Sequence, residues 1–118
     1  MLRILYVEDN SIVREVTAEL LAQDERHIVA LATAEEALAE FKQHDYDLVI
    51  TDVSLPVMSG MDLARNILHL KPNIPIIIAS GYAVDLALKS WGAHVRSIIK
   101  PFDGAEIDAL IADVCPAN

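Results

Sequence analysis

Short apolar blocks begin near residues 4, 28, 48, 76 and 97, and segments of helical period separate them. Ile4-Leu5-Tyr6-Val7, Leu48-Val49-Ile50 and Ile76-Ile77-Ile78-Ala79 are continuous apolar runs. Runs without alternation predict strands covered on both faces, as in a parallel sheet. The last block, Val95 to Ile99, carries Arg96 and Ser97 and predicts an edge strand. Between the blocks, Ile12/Val13, Val16 and Leu20 recur at helical spacing. Ala34, Ala37/Leu38 and Phe41 repeat that pattern, as do Met61, Ala64 and Ile67/Leu68, and Ile107, Leu110/Ile111 and Val114. Each set is the stripe of an amphipathic helix.

The boundary residues agree. Thr33 with Glu36 forms a capping box, and Asp103 with Glu106 resembles one. Asn73-Ile74-Pro75 breaks the chain before the fourth strand, and Gly92 does so before the fifth. The segment from Gly81 to Ser90 has the weakest helical pattern, carried only by Leu86 and Leu88/Lys89. Alternating strands and helices predict one α/β domain over residues 1–118. Its expected form is a doubly wound, flavodoxin-like parallel sheet of five strands, order 2-1-3-4-5, with five helices and the fourth shortened.

In an open parallel sheet, ligands bind beyond the carboxyl ends of the strands, where the strand order reverses. Here that point lies between strands 1 and 3. Strand 1 runs into Glu8 and Asp9, and strand 3 into Asp52. Ser80 ends the fourth apolar run and Lys100 the fifth. Two carboxylates roughly 5 Å apart repel by about 3 kcal/mol at an effective dielectric near 20. Three acids at one point therefore need protons or a cation, and oxygen ligands suit Mg²⁺. Lys100, a strongly hydrated point charge, suits a carboxylate or phosphate partner. The Ser80 hydroxyl is a donor for a phosphoryl oxygen, and Gly81 lets the backbone approach a ligand. The set describes a site for a divalent cation and a phosphoryl group, with one carboxylate free as acceptor. Each residue also has a plain structural reading: a cap of the first helix from Asp9, Asn10 or Ser11, a turn capped by Asp52, a surface lysine, a strand-end serine. Convergence on one switch point favours the site.

Composition narrows the function classes. Apolar residues make up 53% of the 118, yet no apolar run is long enough to span a bilayer. Glu8 and Asp9 interrupt any signal-peptide core. The single Cys115 cannot form an internal disulfide, which fits a reducing, cytoplasmic setting. A net charge of −9 disfavours direct binding to nucleic acid. His27, His44, His69 and His94 show no metal-ligand spacing, and Gly60, Gly81, Gly92 and Gly104 form no phosphate loop. Trp91 reads as packing at a helix end.

Five short strings in order, Val7-Glu8-Asp9-Asn10, Ile50-Thr51-Asp52, Leu55-Pro56-Val57-Met58-Ser59-Gly60, Ala79-Ser80-Gly81 and Lys100-Pro101-Phe102, span nearly the whole chain. Through them it resembles a response-regulator receiver domain of the CheY-like family. The resemblance implies a phosphoacceptor switch of a two-component system or phosphorelay. Asp52 corresponds to the phosphoacceptor, and Glu8, Asp9, Asp52 and the backbone carbonyl of Ser54 to the Mg²⁺ ligands. Lys100 corresponds to the lysine that pairs with the phosphoryl group, Ser80 to the switch hydroxyl, and the Lys100–Pro101 bond is cis. The implied donor is a phosphohistidine on a sensor histidine kinase or phosphotransfer protein, docking near the first helix, where Val13, Arg14 and Val16 are the candidate contacts. Such a domain catalyses only its own phosphorylation and dephosphorylation. Ser54 and Tyr82 occupy positions that tune phosphate lifetime in the family.

Two features depart from the family. Ser97 stands where Tyr or Phe is usual, and the stretch from Ser80 to Lys100 is shorter than usual. Both touch the region of the fourth helix and fifth strand, and they predict an altered signalling surface involving Tyr82 or Trp91. Rival readings fit less well. A phosphohydrolase using Asp52 typically needs a second carboxylate two residues on, where Ser54 stands. A flavin mononucleotide site needs a Ser/Thr/Gly-rich loop after strand 1, where acids stand instead. A receiver that has lost its chemistry would not keep the acids, Ser80 and Lys100 together.

Overall fold

The computed structural model describes residues 1–116. Its strands are β1 (Leu2–Val7), β2 (Arg26–Leu31), β3 (Leu48–Asp52), β4 (Ile76–Ser80) and β5 (Val95–Ile99). Its helices are α1 (Ser11–Leu21), α2 (Ala34–Gln43), α3 (Gly60–Leu70), α4 (Asp85–Leu88) and α5 (Gly104–Val114), and a 3-10 turn, Lys89–Trp91, follows α4. The sheet is parallel throughout, as the apolar runs predict, and its order β2-β1-β3-β4-β5 is that of the expected doubly wound form. The fourth helix is indeed short, a single turn of four residues. The side chain of Leu86, one of the residues that pointed to it, lies outside the described residues. No helix among the described residues is long and apolar enough to cross a membrane.

Every residue of β3 and β4 is buried, because helices cover both faces of the sheet centre. Alternate strand residues feed two cores. Leu5, Val7, Val49, Ile76 and Ile78 pack with α2 and α3 through Ala37, Phe41, Leu63 and Ile67. Ile4, Tyr6, Leu48, Ile50 and Ile77 pack with Leu21 of α1 and with Ile107 and Ile111 of α5. β5 is an edge strand whose Arg96 and Ile99 face solvent.

The caps follow the sequence signals. Asp103 and Glu106 complete a reciprocal capping box on α5; at α2 the expected box forms by half, Thr33 Oγ1 accepting the Glu36 N–H while Glu36 Oε1 accepts the Thr33 hydroxyl instead of its backbone N–H. Asn10 caps α1, accepting from the N–H groups of Ile12 and Val13.

The face of α1 differs from the one its apolar spacing predicts. Its buried residues are Thr17 and Leu21, whereas Ile12, Val16 and Leu20 are exposed. Thr17 turns inward beside the buried Tyr6. The apolar stripe is thus left to solvent.

Crowding is tightest where β3 hands over to α3. A Cβ on Gly60 would lie 1.9 Å from the Asp52 carbonyl oxygen, and its N–H donates to the Val53 carbonyl at 3.0 Å. Beside Gly81, by contrast, a Cβ would meet nothing within 4 Å. Gly60→Ala therefore forces the backbone under Asp52 to move and is expected to cost about 1–3 kcal/mol. Gly81→Ala is expected to stay within about 0.5 kcal/mol of wild type. Urea unfolding of both variants checks this, and equal midpoints would contradict it.

Candidate functional site

Register brings the strand ends into one row. Val7 pairs with Thr51, so Glu8 and Asp52 follow on adjacent strands. Asp52 pairs with Ala79, which puts Ser80 one step further on, and Ser80 pairs with Ile99, the residue before Lys100. The Lys100 N–H donates to the Ser80 carbonyl at 2.7 Å and holds the last two strand ends together.

One carboxylate oxygen from each of Glu8, Asp9 and Asp52 lies within 4.8 Å of the others. Glu8 is 2% exposed and Asp52 7%, whereas Asp9 faces solvent. Asn10, not Asp9, caps the helix, so both acids of the pair are left for the cluster.

Compensation comes from Lys100. Its Nζ donates to Glu8 Oε1 at 2.9 Å and to Asp52 Oδ2 at 3.2 Å. Partial burial by itself favours the neutral amine, but the bonds and charges of the two acids outweigh it and hold Lys100 above its ordinary pKa. The second oxygen of Glu8 accepts the Asn10 N–H at 3.1 Å. Arg14 of α1, a candidate partner contact on sequence grounds, donates to the Glu8 backbone carbonyl at 2.8 Å. Beneath the cluster, burial pushes the Tyr6 phenol to about 12, so it stays protonated.

Ser80 is fully buried, and its Oγ accepts the Tyr82 N–H at 3.1 Å. Gly81 and Tyr82 are exposed at the rim. Ser54 is also exposed, and its N–H makes a long, 3.4 Å contact with Asp52 Oδ1. The Lys100–Pro101 peptide bond is cis.

The donors in this cluster are all oxygens, two of the acids are buried, and they converge within a few ångströms. That set fits a hard divalent cation such as Mg²⁺ better than a soft metal, which prefers thiolate or imidazole.

The loop between β3 and α3 holds two features that the sequence did not flag. Val57 has φ +68° and is 98% exposed. A β-branched residue in the left-handed region is strained, at a cost of roughly 1–3 kcal/mol. The next amide, Met58 N–H, donates to Glu35 Oε2 from α2 at 3.2 Å. No residue-type signal marks Val57 for this conformation, since Gly or Asn is the usual occupant.

At the region of departure, Ser97 of β5 donates a hydrogen bond from its hydroxyl to Asp85 of α4. Arg65 of α3 lies over the Trp91 ring, 5.2 Å from its centroid. Trp91 thus packs at the end of the helical segment, as its position predicts. The exposed side of α1 has its own surface: Ile12, Val16 and Leu20 line a groove of about 460 Å³ with Phe102 and Lys100.

Residues 4–112 match the family model described as the response regulator receiver domain. The chain is 33% identical over 112 residues to the cell cycle transcriptional regulator CtrA of Caulobacter vibrioides, covering 93% of this chain and 48% of that protein. It is 31% identical over 116 residues to the transcriptional regulatory protein HptR of Staphylococcus aureus, covering 94% and 45%. The chain therefore spans about half the length of these relatives. Among solved structures, the response regulator TrrA of Thermotoga maritima, in complex with Mg²⁺-BeF, superposes with a TM-score of 0.85 at 32% identity, covering 97% of this chain and 99% of that one. The chemotaxis protein CheY4 of Vibrio cholerae shares the fold with a TM-score of 0.88 at 24% identity, covering 97% and 98%. By sequence match, strand order and strand-end chemistry alike, the chain belongs to the response-regulator receiver domain family.

Proposed function

We propose that Asp52 accepts a phosphoryl group from a phosphohistidine donor and that Glu8, Asp9, Asp52 and the Ser54 carbonyl hold Mg²⁺ during the transfer. The observation that carries this reading is the convergence of three carboxylates with Lys100 across β1, β3 and β5. TrrA, the relative crystallised with Mg²⁺ and a beryllium fluoride, supports the assignment of the cation. When bound, Mg²⁺ supplies positive charge to the phosphoryl oxygens and to the carboxylates around it.

The side chains divide the rest of the work. One Asp52 oxygen attacks phosphorus in line, the bond from phosphorus to the donor histidine nitrogen breaks, and that nitrogen leaves with the electron pair. Lys100 stands at Asp52 and offsets charge on the transferring group, so rate comes from position and electrostatics. The aspartyl phosphate carries nearly two negative charges at neutral pH where the carboxylate carried one. The Ser80 hydroxyl, now an acceptor for Tyr82 N–H, is free to donate its own proton to a phosphoryl oxygen. Any movement of Ser80 pulls on the rim at Tyr82 and through it on the short α4. Because Ser97 bonds Asp85 there, we read the output face as altered from the family's aromatic arrangement.

The donor in this reading is a sensor histidine kinase or phosphotransfer protein in the cytoplasm, seated on the groove beside Lys100. The domain acts as a switch, turning over only its own phosphate. Its net charge of −9 argues that the domain itself does not contact nucleic acid.

Acetyl phosphate with Mg²⁺, read by intact mass, tests the assignment. Wild type is expected to gain one phosphate, and neither Asp52→Asn nor wild type without Mg²⁺ should do so. A wild type that gains nothing would mark a receiver acting through binding alone. For Lys100→Ala we expect phosphorylation about 100-fold slower, the usual scale for losing one charge-stabilising donor. Mg²⁺ affinity should not fall in that variant, because the ammonium competes with the cation for Glu8 and Asp52. Magnesium titration separates the two effects, and a joint loss of binding and rate would count against the role given to Lys100.

A further inference from the structure

The β3–α3 loop, residues 53–59, must present Ser54 beside Asp52 while carrying a residue that resists its own backbone conformation. Val57 is left-handed at φ +68°. Its side chain is 98% exposed, so packing of that side chain does not hold it there. The loop is fastened on either side. Gly60 N–H closes it onto the Val53 carbonyl, and Leu55 and Met58 rest against the core. At the strained position itself, the left-handed turn directs the following amide, Met58 N–H, at Glu35 Oε2 of α2, 3.2 Å away. A carboxylate bond to that amide exists only while Val57 keeps this conformation, so the bond and the strain are coupled.

We propose that Glu35 is a positioning residue: by holding the Met58 amide it keeps Val57 left-handed, fixes the β3–α3 loop over Asp52, and thereby sets the affinity of the Glu8–Asp9–Asp52 cluster for Mg²⁺. The proposal rests on the metal assignment above. Glu35 itself touches neither metal nor phosphate. Its influence passes through the backbone from Met58 to Ser54, whose carbonyl is the ligand in that assignment.

A cycle of variants in the full chain tests it, using Mg²⁺ alone as the probe. Glu35→Ala is expected to weaken Mg²⁺ binding roughly fivefold, the scale of one net hydrogen bond. In the metal-free protein it should also speed hydrogen exchange at the Met58 amide. Glu35→Gln keeps an acceptor oxygen without the charge and should bind Mg²⁺ within about twofold of wild type. Asn tolerates a left-handed backbone, so Val57→Asn removes the need for the tether. The double variant Glu35→Ala/Val57→Asn should then recover most of the lost affinity. A residue that merely stabilised α2 would lower the melting temperature without moving Mg²⁺ affinity, and Val57→Asn would not rescue it.

Three outcomes overturn the proposal: unchanged affinity in Glu35→Ala, a Gln variant as weak as the Ala variant, or a double variant that recovers nothing. The second would assign the effect to bare charge. If wild type neither binds Mg²⁺ nor takes phosphate from acetyl phosphate, the metal assignment fails first and takes this proposal with it. Normal wild-type behaviour beside an unmoved Glu35→Ala removes only the role of Glu35.

Discussion

Confining like charges shapes this molecule more than any other demand. Glu8 and Asp52 are almost fully buried, and Asp9 brings a third carboxylate within 4.8 Å of both. An arrangement of that kind survives only if something positive sits beside it. Lys100 meets that need from the other side of the sheet, reaching both buried acids from the end of β5. The sheet order follows as a requirement: β1 and β3 must be neighbours, and β4 and β5 must carry their ends to the same edge. The fully buried β3 and β4 give that edge its rigidity, because no residue along either strand is free to slip without turning a core side chain outward.

Much of this was legible in the sequence because the strands are punctuated by their own chemistry. Unbroken apolar runs specified a two-sided parallel sheet, and four of the five strands lead into a polar or charged residue at the same end. Acid, acid, hydroxyl and amine were therefore placed before any contact was known. The capping pairs Thr33/Glu36 and Asp103/Glu106 fixed two helix starts for the same reason, since their hydrogen bonds are local.

What sequence could not convey was orientation and tertiary reach. The spacing of Ile12, Val16 and Leu20 is that of a buried stripe, yet the helix buries Thr17 and Leu21 instead. Periodicity reports that a helix has an apolar side, not which side the core takes. Val57 carries no hint of its left-handed backbone, because the residue there is one that avoids it. Glu35 reads as one of two acids in a first turn until Met58, 23 residues away, is brought to it. The shortened α4 was visible as a weak pattern, but the bond from Ser97 to Asp85 was not, since both are ordinary polar residues on separate elements.

The outward stripe on α1 ties that helix to the lysine in a second way. The inner side of the helix is fastened to the charge cluster by Arg14, through the carbonyl of Glu8, and to the sheet by Thr17 and Leu21. Positions 12, 16 and 20 take no share in either attachment. They line instead the groove that runs to Lys100 and Phe102. One eleven-residue helix thus anchors the charge cluster through Arg14 and walls a groove that reaches Lys100, so a change in that wall is felt beside the lysine.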